Sequence, residues 1–374
     1  MINRSNELRS NNRNLIIREI LTRERTSRQE IIRRTGLAPS TVSSITGELL
    51  EEGIICKSGS IGSPGTGRKT DLISRNGSHS RILVINLTFE SSKIALVDLE
   101  LNIVRSLDVN IRNFETENVV KVLEEQIAVF LGDADDWNIK AMVLTLPHYP
   151  YEKNRICELL FNKYSFPILT INNVEAMGMY DCNYLYSSAD FRSLVYIFIG
   201  KGIGSAFFHQ GELFTGENGY ASDLGHVHIT EQKLQCRCGR YGCLETVASE
   251  DSLSARLKEI EEMKGGELND EVIFSLKKGI DQKNSEIQNL VGTMAEYMAE
   301  AILTVISLLD PQVIILTGRL MSLNPYYSNR LEDYLYRHSG RRSVYENPVR
   351  YQEYRPDSAV KGAALYGYLS VLNG

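Results

Sequence analysis

At 374 residues, 43% hydrophobic and 24% charged, the chain is long enough for two or three domains and needs no disulfides to hold its cores. No apolar run approaches the roughly 18 residues that span a bilayer, and the polar start "MINRSNELRS" lacks the apolar segment of a signal peptide. A soluble protein of the reducing cytoplasm with no membrane partner is therefore expected. The net charge of −6 conceals an asymmetry, because residues 1–80 hold 13 Lys and Arg against 8 Asp and Glu, and the remainder 28 against 39. A basic head on an acidic body suits a nucleic-acid-binding module joined to a part that does not bind nucleic acid, although a solvated Arg-rich helix gives the same totals.

Residues 14–59 read as three short helices. Ile16, Ile17, Ile20 and Leu21 give the first an apolar face. Ser27 and Glu30 form a capping box that opens the second, Ile31 and Ile32 turn inward, and Gly36 ends it. Pro39 suits the first turn of the third, with Val42, Ile45 and Leu49 on one face. The outward face then offers Ser40, Thr41, Ser43 and Ser44, short hydroxyls able to approach base edges and phosphates. A strand and the Gly-rich loop "GSPGTGRKTDLIS" follow, where Arg68 and Lys69 fit the tip of a wing entering a minor groove. The alternative for that loop is a flexible linker with two solvated cations. Residues 1–80 are thus expected to be a winged helix-turn-helix domain binding double-stranded operator DNA through Ser40, Thr41, Ser44, Arg68 and Lys69.

From residue 81 the pattern turns to strands: "RILVINL", "SKIALVDLE" and "NIVRSLDVNI", the last two joined near Leu101 and Asn102. A helix, the strand "KAMVLTL", a polar helix and "FPILTI" complete a first lobe, expected over 81–190 and closed by the final helix within 356–374. "SLVYIFIG", "GSAFFHQ" and "GELFTG" repeat the opening, with helices around 283–308 and the strand "VIILTG" beyond, giving a second lobe over 191–355. Two halves of similar order predict a bilobal α/β body with a cleft between its lobes.

Three of the six cysteines fall in "CRCGRYGCLE" (236–245), with His226 upstream. The head, the two-part body and above all "SDLGHVHITEQKLQCRCGRYGCLE" resemble the ROK family, which contains bacterial sugar kinases and sugar-responsive transcriptional repressors. The resemblance implies a ribonuclease H-like body of the actin-hexokinase type. His226, Cys236, Cys238 and Cys243 make a closed set of one imidazole and three thiolates, the composition of structural zinc, since no position remains for water. A redox pair is the rival reading, which the Cys-x-Cys with an upstream His fits less well. Gly239 and Gly242 permit the backbone of the knuckle, which is expected to tie a strand over 226–229 to a helix beginning near Leu244.

In the family the same His reaches the sugar with its other ring nitrogen, beside two glutamates. Here Glu245 stands at one of those places, and Asp223, one methylene shorter, at the other. The resemblance thus implies ligand contacts from Asn172, Asn173, Asp223, His226 and Glu245. Family kinases carry an Asp-x-Gly-Gly-Thr loop after the first strand and an Asn-Asp pair opening a helix. This chain has "INLTFESSK", with Asn86 for the Asp and no glycine, and "TINNVEAMG", with Asn173 where the base would be. An amide has no useful basicity near neutral pH. "IGKGIGS" keeps Gly200, Gly202 and Gly204 but reads as a tight connection between strands, and Lys201 and Arg319 are candidates for an anionic group on the ligand.

The expected function is a sugar-responsive transcriptional regulator, a repressor with no catalytic residues, holding structural Zn2+, taking a sugar or sugar phosphate effector, and acting as a homodimer or dimer of dimers. The alternatives are an ATP-dependent sugar kinase that kept a DNA-binding head, or a regulator whose body senses a protein partner.

Overall fold

The computed structural model describes residues 4–62, 69–88, 92–111, 116–132, 137–146, 153–161, 163–185, 191–258, 268–340 and 347–372. It has two compact units, residues 1–190 with 357–374, and residues 191–356.

The first unit opens with α1 (Arg4–Leu21), β1 (Thr26–Ser27), α2 (Arg28–Thr35), α3 (Pro39–Glu51), β2 (Ile55–Gly62) and β3 (Lys69–Arg75). Ile16, Ile17, Ile20, Leu21, Ile31, Val42, Ile45 and Leu49 are buried, so the apolar spacing of each helix converges on one small core, with Ile32 half-buried at its edge. The helix α1 begins at Arg4, well before its apolar pattern does. Its polar first turns are fastened to α3 by Arg9–Glu48 at 2.7 Å and Arg13–Glu52 at 2.6 Å, partners no local periodicity reveals. Ser27 caps α2 by accepting from the Glu30 amide at 3.2 Å, whereas the Glu30 carboxylate faces Arg33 and Arg34. Strands β2 and β3 pair antiparallel out to Gly62 opposite Lys69, and β1 adds a third strand on β3. The tip of this wing, with Arg68, lies outside the described residues.

Between head and body, residues 76–80 are bonded on both sides. Asn76 donates through Nδ2 to the Gly53 carbonyl at 2.8 Å, Asn138 donates to the His79 carbonyl at 2.5 Å, and the buried Tyr368 hydroxyl donates to the Ser80 carbonyl at 2.8 Å. Burial first, then the charge of Lys140, holds the His79 imidazole below its ordinary pKa, against the opposite pull of Glu52.

The body of this unit holds β4 (Arg81–Asn86), β5 (Ser92–Asp98), β6 (Ile103–Val109), α4 (Thr116–Leu131), β7 (Ile139–Leu146), α5 (Lys153–Phe161), β8 (Ile168–Asn172) and α6 (Asn173–Leu185). Its sheet runs β6-β5-β4-β7-β8, antiparallel on the β6 side of β4 and parallel beyond it. Alternation along β4 sends Leu83 and Ile85 into a core with Leu123 and Ile127 of α4. Ile82 faces the carboxy-terminal helix Ser358–Val371 at Gly367. That helix also crosses α6 so closely that a Cβ on Gly362 would fall on the Ala176 carbonyl.

The second unit contains β9 (Ser193–Ile199), β10 (Ile203–His209), β11 (Glu212–Phe214), α7 (Glu245–Ala248), α8 (Glu250–Leu257), α9 (Asp270–Asp281), α10 (Ser285–Leu309), β12 (Val313–Gly318), α11 (Tyr326–His338) and β13 (Val349–Gln352). Its sheet, β11-β10-β9-β12-β13, repeats the strand order and directions of the first. By length and composition α10 could cross a bilayer, contrary to the sequence expectation, but its apolar residues from Ile287 to Val305 are spent on the core of this unit. The expected strand over 226–229 is absent: Leu224–His226 is a turn of 3-10 helix and His228 makes a single bridge to Cys243. The reason is local. The Ile229 amide donates to the Gly242 carbonyl at 2.8 Å, so the segment pairs with the knuckle rather than with a sheet.

Candidate functional site

The knuckle gathers what the sequence scatters from His226 to Cys243. The ligand atoms of His226, Cys236, Cys238 and Cys243 all lie within 4.8 Å of one another. Cys238 and Cys243 sulfurs are 3.8 Å apart, and His226 Nδ1 is 3.3 Å from Cys236 Sγ. A tetrahedral zinc with Zn–S near 2.3 Å and Zn–N near 2.0 Å would set these separations at about 3.8 and 3.5 Å, so the donors present fit the ion. The Cys238 amide points at Cys236 Sγ, and Gly239 and Gly242 take φ of 87° and 72°. A Cβ on Gly242 would fall on the Thr230 carbonyl.

Without metal the thiols diverge. Burial and a hydrogen bond to Glu245 push Cys236 far above its ordinary value, and burial raises Cys243. Cys238 is instead pulled down to about 7: burial opposes this, but hydrogen bonds with Arg240, backbone then side chain, and with Cys236 and Cys243 together outweigh it.

His226 stands between two carboxylates. Its Nδ1 faces the thiols and is 3.7 Å from Glu245 Oε1, while Nε2 turns the other way, 4.0 Å from Asp223 Oδ1. Glu245 is 8% exposed, and its Oε1 takes the Cys236 S–H at 2.8 Å and faces Arg237 Nε at 3.4 Å. Arg237 reaches on to Asp251 at 3.4 Å, so the residue between the paired cysteines is the counter-charge of the buried carboxylate. Sequence reading passed over Arg237, although its place inside Cys-x-Cys was a signal.

The glycine turn has a structural use. Gly200, Lys201 and Gly202 join β9 to β10, and a Cβ on Gly202 would sit 2.7 Å from Glu245 Oε2. The Glu250 amide bonds the Gly200 carbonyl at 2.8 Å, and Arg319 donates to the Leu268 carbonyl at 2.7 Å. Gly225 abuts β10, where a Cβ would strike the Ile203 carbonyl. Gly225→Ala must therefore lift the 3-10 turn and carry His226 off the thiols. We expect a loss of about 1–3 kcal/mol of stability and at least tenfold weaker metal retention, read by titration against a competing chelator.

In the first unit, Asn172 and Asn173 open α6. The Asn172 Oδ1 accepts from the Val174 amide at 2.8 Å and its own amide donates to Glu175 at 3.0 Å, so Asn172 caps the helix. Asn173 Nδ2 donates to Asn86 Oδ1 at 2.9 Å, the Leu87 carbonyl at 2.9 Å and Thr145 Oγ1 at 3.2 Å. The Thr145 hydroxyl in turn donates to Asn86 at 2.5 Å. Asn86 and Asn173, the two positions at which the resemblance implies acids in the kinases, are here two amides bonded to each other, and Asn173 Oδ1 is left buried without a partner.

On the head, Ser40 and Ser44 are exposed and Thr41 half-buried on the outer side of α3, and Lys69 is exposed at the base of the wing. Ser44 is not free, since its hydroxyl donates to Glu48 at 3.0 Å.

Fold and site together define a winged helix-turn-helix head on a duplicated α/β body, with a knuckle of one histidine and three cysteines in its second half. The chain belongs to the ROK family, whose model matches residues 90–367, and a winged helix-turn-helix DNA-binding model matches residues 9–55. It is 23% identical over 319 residues to the DNA-binding transcriptional dual regulator NagC of Escherichia coli, covering 79% of this chain and 77% of that protein. To the xylose repressor of Bacillus subtilis it is 24% identical over 376 residues, covering 96% and 94%. Among solved structures, a ROK family transcriptional regulator, a homolog of the E. coli MLC protein, matches with TM-score 0.77 at 22% identity over 98% of this chain and 97% of that one. The ROK hexokinase of Thermus thermophilus matches with TM-score 0.62 at 21% identity over 79% and 100%. At these identities the structural likenesses establish the fold alone.

Proposed function

We propose that this protein is a cytoplasmic transcriptional repressor that binds operator DNA through its head, as a homodimer or dimer of dimers, and takes a sugar or sugar phosphate in its ROK body without phosphorylating it. The observation that carries the loss of catalysis is the bond between Asn173 and Asn86, which leaves neither position able to accept a proton from a sugar hydroxyl. The likeness to a transcriptional dual regulator and to a xylose repressor, together with the winged head, supports the regulatory reading. Zn2+ held by His226, Cys236, Cys238 and Cys243 would serve structurally, fixing the knuckle. His226 Nε2 beside Asp223 then offers a polar pair suited to sugar hydroxyls, with the ring oriented by the metal-side nitrogen, and Glu245, on the Nδ1 side of that ring, is a further proposed contact. Asn172 and Asn173, at the start of α6, are further proposed contacts.

The test is binding of the purified protein to the intergenic DNA beside its own gene, with and without a panel of hexoses, pentoses, amino sugars and their phosphates, run alongside a coupled phosphorylation assay. Effector-dependent change in DNA affinity without turnover is expected. Robust turnover would establish the kinase with a DNA-binding head instead, and indifference to every sugar together with a co-purifying protein would establish a partner sensor. Replacing Arg68 and Lys69 together by Ala should weaken binding to all sequences and flatten the dependence of log K on log salt by roughly 1.8, two phosphate contacts' worth. An unchanged slope removes the wing from the DNA contact.

A further inference from the structure

The outer stripe of α3 places two acidic side chains, Glu48 and Glu51, among its hydroxyls, and only Glu48 is bonded to one of them. Val42, Ile45, Thr46 and Leu49 are buried, which leaves Ser40, Thr41, Ser44, Glu48 and Glu51 on the opposite side, with Ser44 and Glu48 one turn apart. An acid on a DNA-binding helix opposes phosphate, so its presence requires a reason.

The hydrogen bonding supplies one. Glu48 Oε1 receives the Ser44 hydroxyl at 3.0 Å and Arg9 Nη2 at 2.7 Å. Four residues further on, Arg13 of α1 and Glu52, the residue that ends α3, repeat the ion pair at 2.6 Å. Two rungs at matched spacing fix α1 along α3 and hold Glu48 in place, and Arg9 offsets its charge. Arg9 and then Ser44 keep the Glu48 pKa below its ordinary value, so the group remains a carboxylate and only accepts.

A serine hydroxyl has one hydrogen and two lone pairs. With that hydrogen given to Glu48, Ser44 presents only lone pairs outward. In the major groove, adenine N6 and cytosine N4 are donors, whereas guanine O6 and N7 and thymine O4 are acceptors. We propose that Glu48 is a specificity-determining residue: by taking the only hydroxyl proton of Ser44 it makes Ser44 an obligate acceptor, selecting an amino-bearing base, adenine or cytosine, against guanine and thymine. The proposal rests on the DNA-binding reading of the head, and Glu48 acts through Ser44 as a positioning residue.

The experiment is selection of duplexes from a randomised pool by the full-length protein, followed by anisotropy titrations of every single-base substitution of the selected site. The wild type should show one position in each half-site where adenine or cytosine is preferred by about five- to tenfold, the worth of one hydrogen bond. In Glu48→Gln the amide can donate to Ser44, freeing its hydroxyl to donate, so that guanine or thymine should come within about twofold at that position only. Ser44→Ala should lose the preference at the same position, and Ser44→Thr, which keeps the hydroxyl, should restore it. Unchanged base preferences in Glu48→Gln, or a preference that survives Ser44→Ala, overturn the proposal while leaving DNA binding intact. A wild-type protein that selects no duplex overturns the DNA-binding reading and the proposal with it.

Discussion

Cys243→Ser is expected to strip the metal from the knuckle and to lower the melting temperature of the second unit by roughly 5–11 °C. Cys243 is 1% exposed and its neighbours Leu244 and Val247 are fully buried, so the ligand is continuous with the core rather than hung from a surface loop. A closed four-donor site has no substitute for a missing thiolate, and serine is a poor zinc ligand. At free zinc a hundred times the dissociation constant, binding stabilises the fold by about 2.7 kcal/mol, and each kcal/mol moves the midpoint of a unit this size by about 2–4 °C. Calorimetry with and without chelator checks this: the wild type should fall to the level of the variant, and the variant should be indifferent to chelator. Because the Leu244 amide bonds Val227 and the knuckle holds His226 against Glu245, the variant should also stop responding to effector while its untouched head still binds DNA. Equal metal content in variant and wild type would dismiss the site.

What the sequence disclosed and what it withheld differ by the range of the interactions. The three head helices were legible because Ile16, Ile20, Val42, Ile45 and Leu49 encode their burial in spacings of three and four, and Ser27 and Pro39 mark helix starts by their own chemistry. The strands of both sheets apart from β13 were legible as short apolar runs, and their repeated order pointed to the fold class, whereas the four residues of β13 alternate too briefly to stand out. The start of α1 was not, because its polar first turns are held by ion pairs to α3 across 39 residues of chain. Nor was the turn at Leu224–His226, whose backbone follows the knuckle and not its own side-chain pattern. In the site, the residue types at 226, 236, 238 and 243 announce a metal set, but the room for Glu245 comes from a missing side chain at Gly202, and its charge partner is Arg237. Both are facts of three-dimensional packing. Likewise Asn86 and Asn173 were each readable as a lost acid, yet their bond to each other spans 87 residues and needed the sheet to bring β4 and α6 together.

That bond makes Asn173→Asp the most informative substitution in the first unit, with an expected loss of roughly 3–5 kcal/mol. The Asn173 amide nitrogen faces Asn86 Oδ1, the Leu87 carbonyl and Thr145 Oγ1, whose own hydrogen is committed to Asn86. A carboxylate oxygen in its place would meet acceptors, losing the two hydrogens that the amide shares among them and burying charge against oxygen lone pairs. Protonation is the available relief, since the neutral acid can donate one bond, so the folded-state pKa of the new group should rise above its unfolded value of about 4. The sign follows: a carboxyl with a raised folded pKa leaves the folded state least penalised at low pH, and stability is lost as pH climbs through the unfolded and then the folded pKa. The gap between variant and wild type in urea unfolding should accordingly be smaller at pH 5 than at pH 8. Restoring the acid should not restore phosphoryl transfer either, even with Asn86→Asp beside it, because "INLTFESSK" offers no glycine turn to close backbone amides on a phosphate. A variant as stable as the wild type at pH 8 would show that the amide lock carries no weight, and sugar turnover by the single variant would return the body to the kinases.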